Sequence, residues 1–540
     1  MDMTMRLTGF KGFFPVDQEV SEIPLNFWYV LQETLFDEEV LPVKSQKNWL
    51  SGQAAIHIYR ELVLVLVKNA RYPDDTTWAN WNKDIKHKFG TWRRDLGDAM
   101  INPYYVLKGD MLSILLDYTS NLLNQWSLIP SASQELEAAL FCLKSISEEI
   151  PHEENEYLAK FFGELVLGRL PNDCHVYLKS TVLGLFGSLS EWLKLHPEYL
   201  GSVLNYIVPC LSDVRLSSSA SLAFAEICNH CRESLVNELN TLMQVYASMA
   251  NTHIQPAILQ KVVESVADVI QVLSPDKALA PLMSLTSDIL QGVSKALTGS
   301  PDMVRERILH QIQYLSACCR GIQSPNDDYQ SLEERMSLYD AFASGQLAAM
   351  YGQMEGFDEM MYAIRASVQQ IVQLADDEEI AKALAHFLDL GMKSTSPLLS
   401  LRFEDLVLLV ETAYTTAPFS CWLDTASLMM NVYGGQVMFG ERLRDFLGAL
   451  TNKTFGFIHG TEDMENHSDI VDSYFDLLSR TIRRCPVAFY ELPPEMINTI
   501  FMFVIAGIGL QERLALQAAL GFLAEFVSQN LDEDSPKSKI

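Results

Sequence analysis

At 540 residues the chain exceeds what one compact core holds, and 48% hydrophobic with 20% charged residues excludes a disordered polymer. Its formal charge of −29, from 69 acidic against 40 Lys and Arg residues, disfavours phosphate backbones, so direct nucleic-acid binding is not expected. Such a surface attracts basic proteins, although acidity also serves solubility alone.

Met1–Phe14 mixes Asp2, Arg6 and Lys11 with apolar residues and has the pattern of neither a secretory signal nor a spanning helix. The apolar stretches Leu62–Val67 and Ile500–Leu510 are too short or too interrupted to cross a bilayer, so a soluble protein without membrane insertion is expected. Arg71–Asp95 is polar and aromatic and breaks the apolar rhythm, with Tyr72, Trp78, Trp81, Phe89 and Trp92 among charges. From Gln134 to Ile150 the rhythm is helical, with Leu136, Leu140, Leu143 and Ile146 along one face.

Paired apolar segments then follow, divided at His196-Pro197, Ser212-Asp213, Ser274-Pro275 and Ser300-Pro301. A proline loses nothing at the first position of a helix, so Pro275 and Pro301 predict helix starts. The first helix of each pair carries a large apolar residue followed by a small one: Ile146-Ser147, Leu189-Ser190, Ile227-Cys228, Val266-Ala267 and Leu315-Ser316. The steps are roughly forty residues, the period of HEAT or armadillo units. One such unit cannot bury its own apolar face, so the units must stack. The expected fold is all-α, an α-α superhelix (solenoid) of HEAT/armadillo-like repeats over residues 1–529. Loops are expected at 323–334 and 460–468, and a disordered tail at 530–540.

Nine cysteines is an odd count, and many lie in apolar helical context, as Cys142, Cys210 and Cys318 do, which suggests reduced, buried thiols. Cys228-x-x-Cys231 lacks the second ligand pair of a zinc site and the preceding strand of a redox motif, so core packing explains it better. Cys318-Cys319 belongs with it. The phosphate-binding glycine loops, the H-E-x-x-H helix and the G-x-S-x-G elbow are all missing from the sequence. Neither enzyme activity nor a cofactor is expected.

The run Asp376-Asp377-Glu378-Glu379 precedes an apolar helix over Ile380–Leu390. It either complements that helix's dipole or meets a basic partner. Glu462, Asp463 and Glu465 are candidates of the same kind, whereas Glu148, Glu149, Glu153 and Glu154 fall at a turn, where charges are usually solvated.

Leu189-Ser190-Glu191-Trp192, His196-Pro197, the serines of 217–219 and Ile227-Cys228 together resemble the karyopherin-β (importin-β) family of nuclear transport receptors. Further matches are Gly9, Pro15-Val16 and Phe27–Gln32; Tyr72-Pro73 through Arg94-Asp95-Leu96 and Asp98, a stretch that resembles the family's aromatic connector and implies one at about 71–95; and His467–Leu478, followed by Arg483, Pro486 and Gly521-Phe522. The resemblance runs from about Gly9 to Phe526 and rests on the order of modest motifs. It implies a receptor, or its cargo-binding part, that shuttles folded protein cargo between cytoplasm and nucleus. Basic nuclear cargo would sit on the inner face, Phe-Gly nucleoporins in outer grooves, and the GTPase Ran would control loading. The resemblance also implies that the N-terminal repeats making the main Ran contact have no counterpart here. Asp376, Asp377, Glu378, Glu379, Glu462, Asp463 and Glu465 become candidate cargo contacts. The alternative is a HEAT scaffold or regulatory subunit independent of Ran.

Overall fold

A computed structural model describes residues 2–36, 49–126, 128–154, 156–171, 174–250, 252, 254–298, 300–323, 354–394, 399 and 401–531. Among them every regular element is helical. The chain forms two compact units, residues 1–237 with 249–258 and residues 238–248 with 259–540.

In the first unit the principal helices are α1 (Leu25–Phe36), α2 (Trp49–Ala70), α3 (Lys83–Leu107) and α4 (Gly109–Asn124). They are followed by α5 (Ala132–Ser145), α6 (Val176–Ser188), α7 (Leu200–Leu211) and α8 (Ser217–His230). Helices α3, α5, α6 and α8 stack in one row, each against the next, while α4 packs on α5 and α7 on α8. Arg71–Asp95 is partly helical. Asp74 caps a short helix, Asp75–Asn80, by accepting from the Thr77 amide at 3.0 Å. Asn82 starts α3 the same way, from the Ile85 amide at 2.8 Å. The rings gather around these two starts. Trp78 and Trp81 each pack edge to face on Phe89, and Tyr72 stacks on Tyr177 at 4.5 Å between centroids.

The second unit repeats the plan. One row holds α10 (Pro301–Gly321), α12 (Glu378–Lys393), α14 (Ser420–Tyr433), α16 (Ser468–Arg484) and α18 (Arg513–Leu531). The other layer holds α9 (Pro275–Ala296), α11 (Phe357–Val372), α13 (Phe403–Thr416), α15 (Gly440–Phe457) and α17 (Pro494–Gly507). Pro275 and Pro301 open their helices as predicted. Residues 460–468, expected as a loop, hold a six-residue helix, Thr461–Asn466. The loop expected at 323–334 lies outside the described residues from 324 onward. The tail expected at 530–540 does so from 532; Asn530 and Leu531 are the last residues of α18.

All five large-small pairs are buried, none of the ten residues keeping more than 5% of its surface. Bonds between equivalent places measure the same period directly. The Tyr105 hydroxyl donates to Glu149, 44 residues on, at 2.6 Å. Ser180 and Ser219 share a bond 39 residues apart, and Tyr414 and Thr454 one 40 residues apart. Successive repeats are joined by polar contacts as well as by apolar packing.

Candidate functional site

The acidic run at the start of α12 is largely spoken for. The Asp377 carboxylate caps the helix, accepting from the Glu379 and Ile380 amides at 3.0 and 3.2 Å. Its other oxygen accepts from Arg305 of α10 at 2.5 Å, and Arg305 also reaches Glu379 at 2.6 Å. That arginine holds the Asp377 carboxyl below the usual carboxylate range. Glu378 pairs with Lys382 one turn on, at 2.7 Å. Asp376 lies exposed beside them. Glu462 and Glu465 are exposed on the helix Thr461–Asn466, while Asp463 accepts from the His459 amide at 2.9 Å. That helix packs on α16 and α17, so the two clusters belong to different repeats.

The glutamates of the earlier turn also have structural work. Glu154 accepts from the amides of Glu156, Tyr157 and Leu158, each at 2.8 Å, and so closes the turn before the helix Leu158–Phe162. Eight cysteines are buried and Cys421 is half-buried; Cys228 and Cys231 keep 0% and 1% of their surface. Among the described residues no group of three or more His, Cys, Asp or Glu is placed to hold a metal ion, and no helix is long and apolar enough to cross a membrane.

A second set of carboxylates, not singled out from the sequence, lines the row of α12, α14 and α16. Asp389 on α12 is half-buried and accepts from the Thr425 hydroxyl of α14 at 2.9 Å. Burial pushes its carboxyl up to about 6, and the Asp424 charge adds to that against Thr425 and Lys393. Asp424, more open to solvent, is raised by burial and by Asp476 and Asp469, against the Ser473 hydroxyl and Arg480. Asp472 is raised by burial and then by Asp476, Glu512, Asp424 and Asp469. The charges are therefore crowded along one stripe and repel one another. Two neighbouring cations are already engaged, Lys382 with Glu378 and Arg480 with Asp476. The stripe suits lysine and arginine side chains of a partner, since each added cation relieves repulsion already present.

This crowding has a measurable sign. An ionised Asp389 opposes folding above pH about 6, and the penalty fades as pH falls through that value toward the ordinary carboxylate range. Asp389→Asn should therefore raise the melting temperature of the second unit at pH 7.5, keep about half of that advantage at pH 5 and lose the rest only near pH 4. Melting curves of both proteins across this window check it; an advantage independent of pH would remove the carboxylate from the explanation.

On the other layer of this unit, α11 and α13 enclose a groove of about 220 Å³ lined by Asp358, Met361, Tyr362, Arg365, Leu401, Arg402 and Asp405. Met361 and Leu401 are buried apolar residues, and Tyr362 leaves 74% of its surface open. The charges around them pair off, Arg402 with Asp358 at 2.7 Å and Arg365 with Asp405 at 3.0 Å. The remaining surface is apolar, aromatic and close to neutral, which suits an uncharged ring rather than an ion.

Two family models match parts of the chain: the transportin-3/importin-13 third TPR domain over residues 155–245 and the importin 13 repeat over residues 71–110. Importin-13 of Bos taurus is 24% identical over 545 residues, covering 100% of this chain and 54% of the relative. Importin-13 of Homo sapiens is 24% identical over 532 residues, covering 98% and 53%. The importin beta-like protein kap111 of Schizosaccharomyces pombe is 21% identical over 537 residues, covering 97% and 52%. The chain thus spans about half the length of the curated relatives it matches. A solved structure of importin-13 in a cytosolic state superposes with a TM-score of 0.78 at 20% identity, over 99% of this chain and 58% of the other. In sequence the chain is thus similar to importin-13 along its length, and in fold it is a helical solenoid like that protein's.

Proposed function

We propose that the chain works as a nuclear transport receptor, or as the cargo-binding part of one, carrying folded protein through nuclear pores. The observation that carries this reading is the likeness to importin-13, which extends over the whole chain in sequence and in fold. The carboxylate stripe of Asp389, Asp424, Asp472 and Asp476 supports a basic nuclear protein as cargo. Asp376, Glu462 and Glu465, exposed and close to the same row, are proposed as outlying cargo contacts. The neutral groove around Tyr362 supports binding of Phe-Gly nucleoporin repeats, whose rings need an apolar slot and no counter-charge. Such a receptor shuttles between cytoplasm and nucleus and needs no catalytic step.

Affinity capture from nuclear extract, with and without GTP-loaded Ran, tests the reading. Basic nuclear proteins recruited or released by Ran are expected of a complete receptor, and Ran-insensitive capture of basic cargo with nucleoporins of a cargo-binding part. One constant partner with neither Ran sensitivity nor nucleoporins would replace transport by a scaffold. Within the same experiment, Tyr362→Ser should reduce capture of Phe-Gly repeats about tenfold and leave basic cargo unaffected, because one buried aromatic contact accounts for about that factor.

A further inference from the structure

Three places in the first unit fall 44 residues apart and meet at one carboxylate. Arg93 on α3 donates to both oxygens of Glu137 on α5, at 2.9 Å each. The Thr181 hydroxyl on α6 donates to the same group at 2.6 Å. Arg93 and Glu137 keep only 6% and 2% of their side-chain surface. The guanidinium lies between the Tyr72 and Phe141 rings, 4.1 Å from each centroid. Tyr72 stacks in turn on Tyr177, one turn before Thr181 on α6.

We propose that Glu137 clasps three consecutive repeats into one rigid block, so that the array does not bend between α3 and α6. A solenoid flexes by small rotations shared among its repeats. Rotating one helix by about ten degrees against a neighbour roughly 10 Å away moves contacting atoms by roughly 1–2 Å. A hydrogen bond of 2.6–2.9 Å does not survive that displacement. Breaking it here leaves an ionised group in a site water does not reach, so rotation at this joint is opposed far more strongly than sliding of apolar faces. The bonds between Ser180 and Ser219, or Tyr414 and Thr454, are neutral and link two repeats only. Bending that adapts the array to partners of different size is thereby displaced from this block to joints of that second kind.

Hydrogen–deuterium exchange of the full chain, read by mass spectrometry, tests the block. In the unmodified protein the protected amides of α3, α5 and α6 should exchange through one shared opening. Thr181→Val, nearly isosteric, should detach α6 alone and speed its exchange about tenfold, as expected for one charge-assisted bond, while α3 and α5 keep their protection. Glu137→Gln should speed all three and leave the helices of the second unit untouched. Three separate rates in the unmodified protein, or α6 unchanged in Thr181→Val, would overturn the proposal. If Glu137→Gln does not fold, Thr181→Val still decides between the two outcomes.

Discussion

Glu137→Ala is expected to lower the unfolding free energy of the first unit by about 3–5 kcal/mol, the cost of stranding a buried charge without its partner. Arg93 cannot shed its proton and cannot reach water without leaving the slot between Tyr72 and Phe141. Urea unfolding followed by tryptophan fluorescence reports the change, since Trp78, Trp81 and Trp92 stand in or beside this region. The double replacement Arg93→Met with Glu137→Leu should recover most of the loss, because apolar side chains of similar volume remove both desolvated charges together. Thr181 would then turn its hydroxyl to a carbonyl of its own helix. A single replacement no costlier than about 0.5 kcal/mol, the range of ordinary surface changes, would show that the pair carries no such weight.

Gly321→Ala is the second large effect. A Cβ at Gly321 would lie 2.3 Å from the Glu264 carbonyl oxygen and 2.5 Å from the Ala267 Cβ, on the helix Pro256–Ile270. Neither atom belongs to a flexible side chain, so the two helices must move apart where they meet. The expected loss is about 2–3 kcal/mol in the transition of the second unit. Gly456→Ala on α15 is the matched control, since nothing lies within 4 Å of a Cβ there. It should gain about 0.5–1 kcal/mol from the better helix propensity of alanine. Similar effects from the two substitutions would mean that the approach at Gly321 is not tight.

The repeat was legible because a large residue followed by a small one is a packing requirement that recurs once per unit. Leu189-Ser190 and Val266-Ala267 carry it in plain sequence, and both pairs are buried. The helices inside Arg71–Asp95 were hidden by Pro73 and by rings that interrupt any apolar stripe. The signal was present all the same, in Asp74 and Asn82, each three residues ahead of the amide it caps. The fate of Asp377 was not legible. Its partner Arg305 lies 72 residues away, and only the stacking of α10 on α12 brings them together. The stripe of Asp389, Asp424 and Asp472 escaped for the same reason. Each aspartate is an ordinary helix-surface residue until its neighbours in the row arrive.

Bonds that count in steps of 39, 40 and 44 residues also govern which lesions a gene of this kind survives. Excising one whole step keeps the faces of the later helices in register, although a step that carried off Glu137 would strand Arg93. Excising ten residues from a row helix instead turns every later side chain on that helix by 100° per residue lost, which sets charges such as Glu137 against apolar neighbours. Arrays built this way therefore lengthen and shorten in whole units.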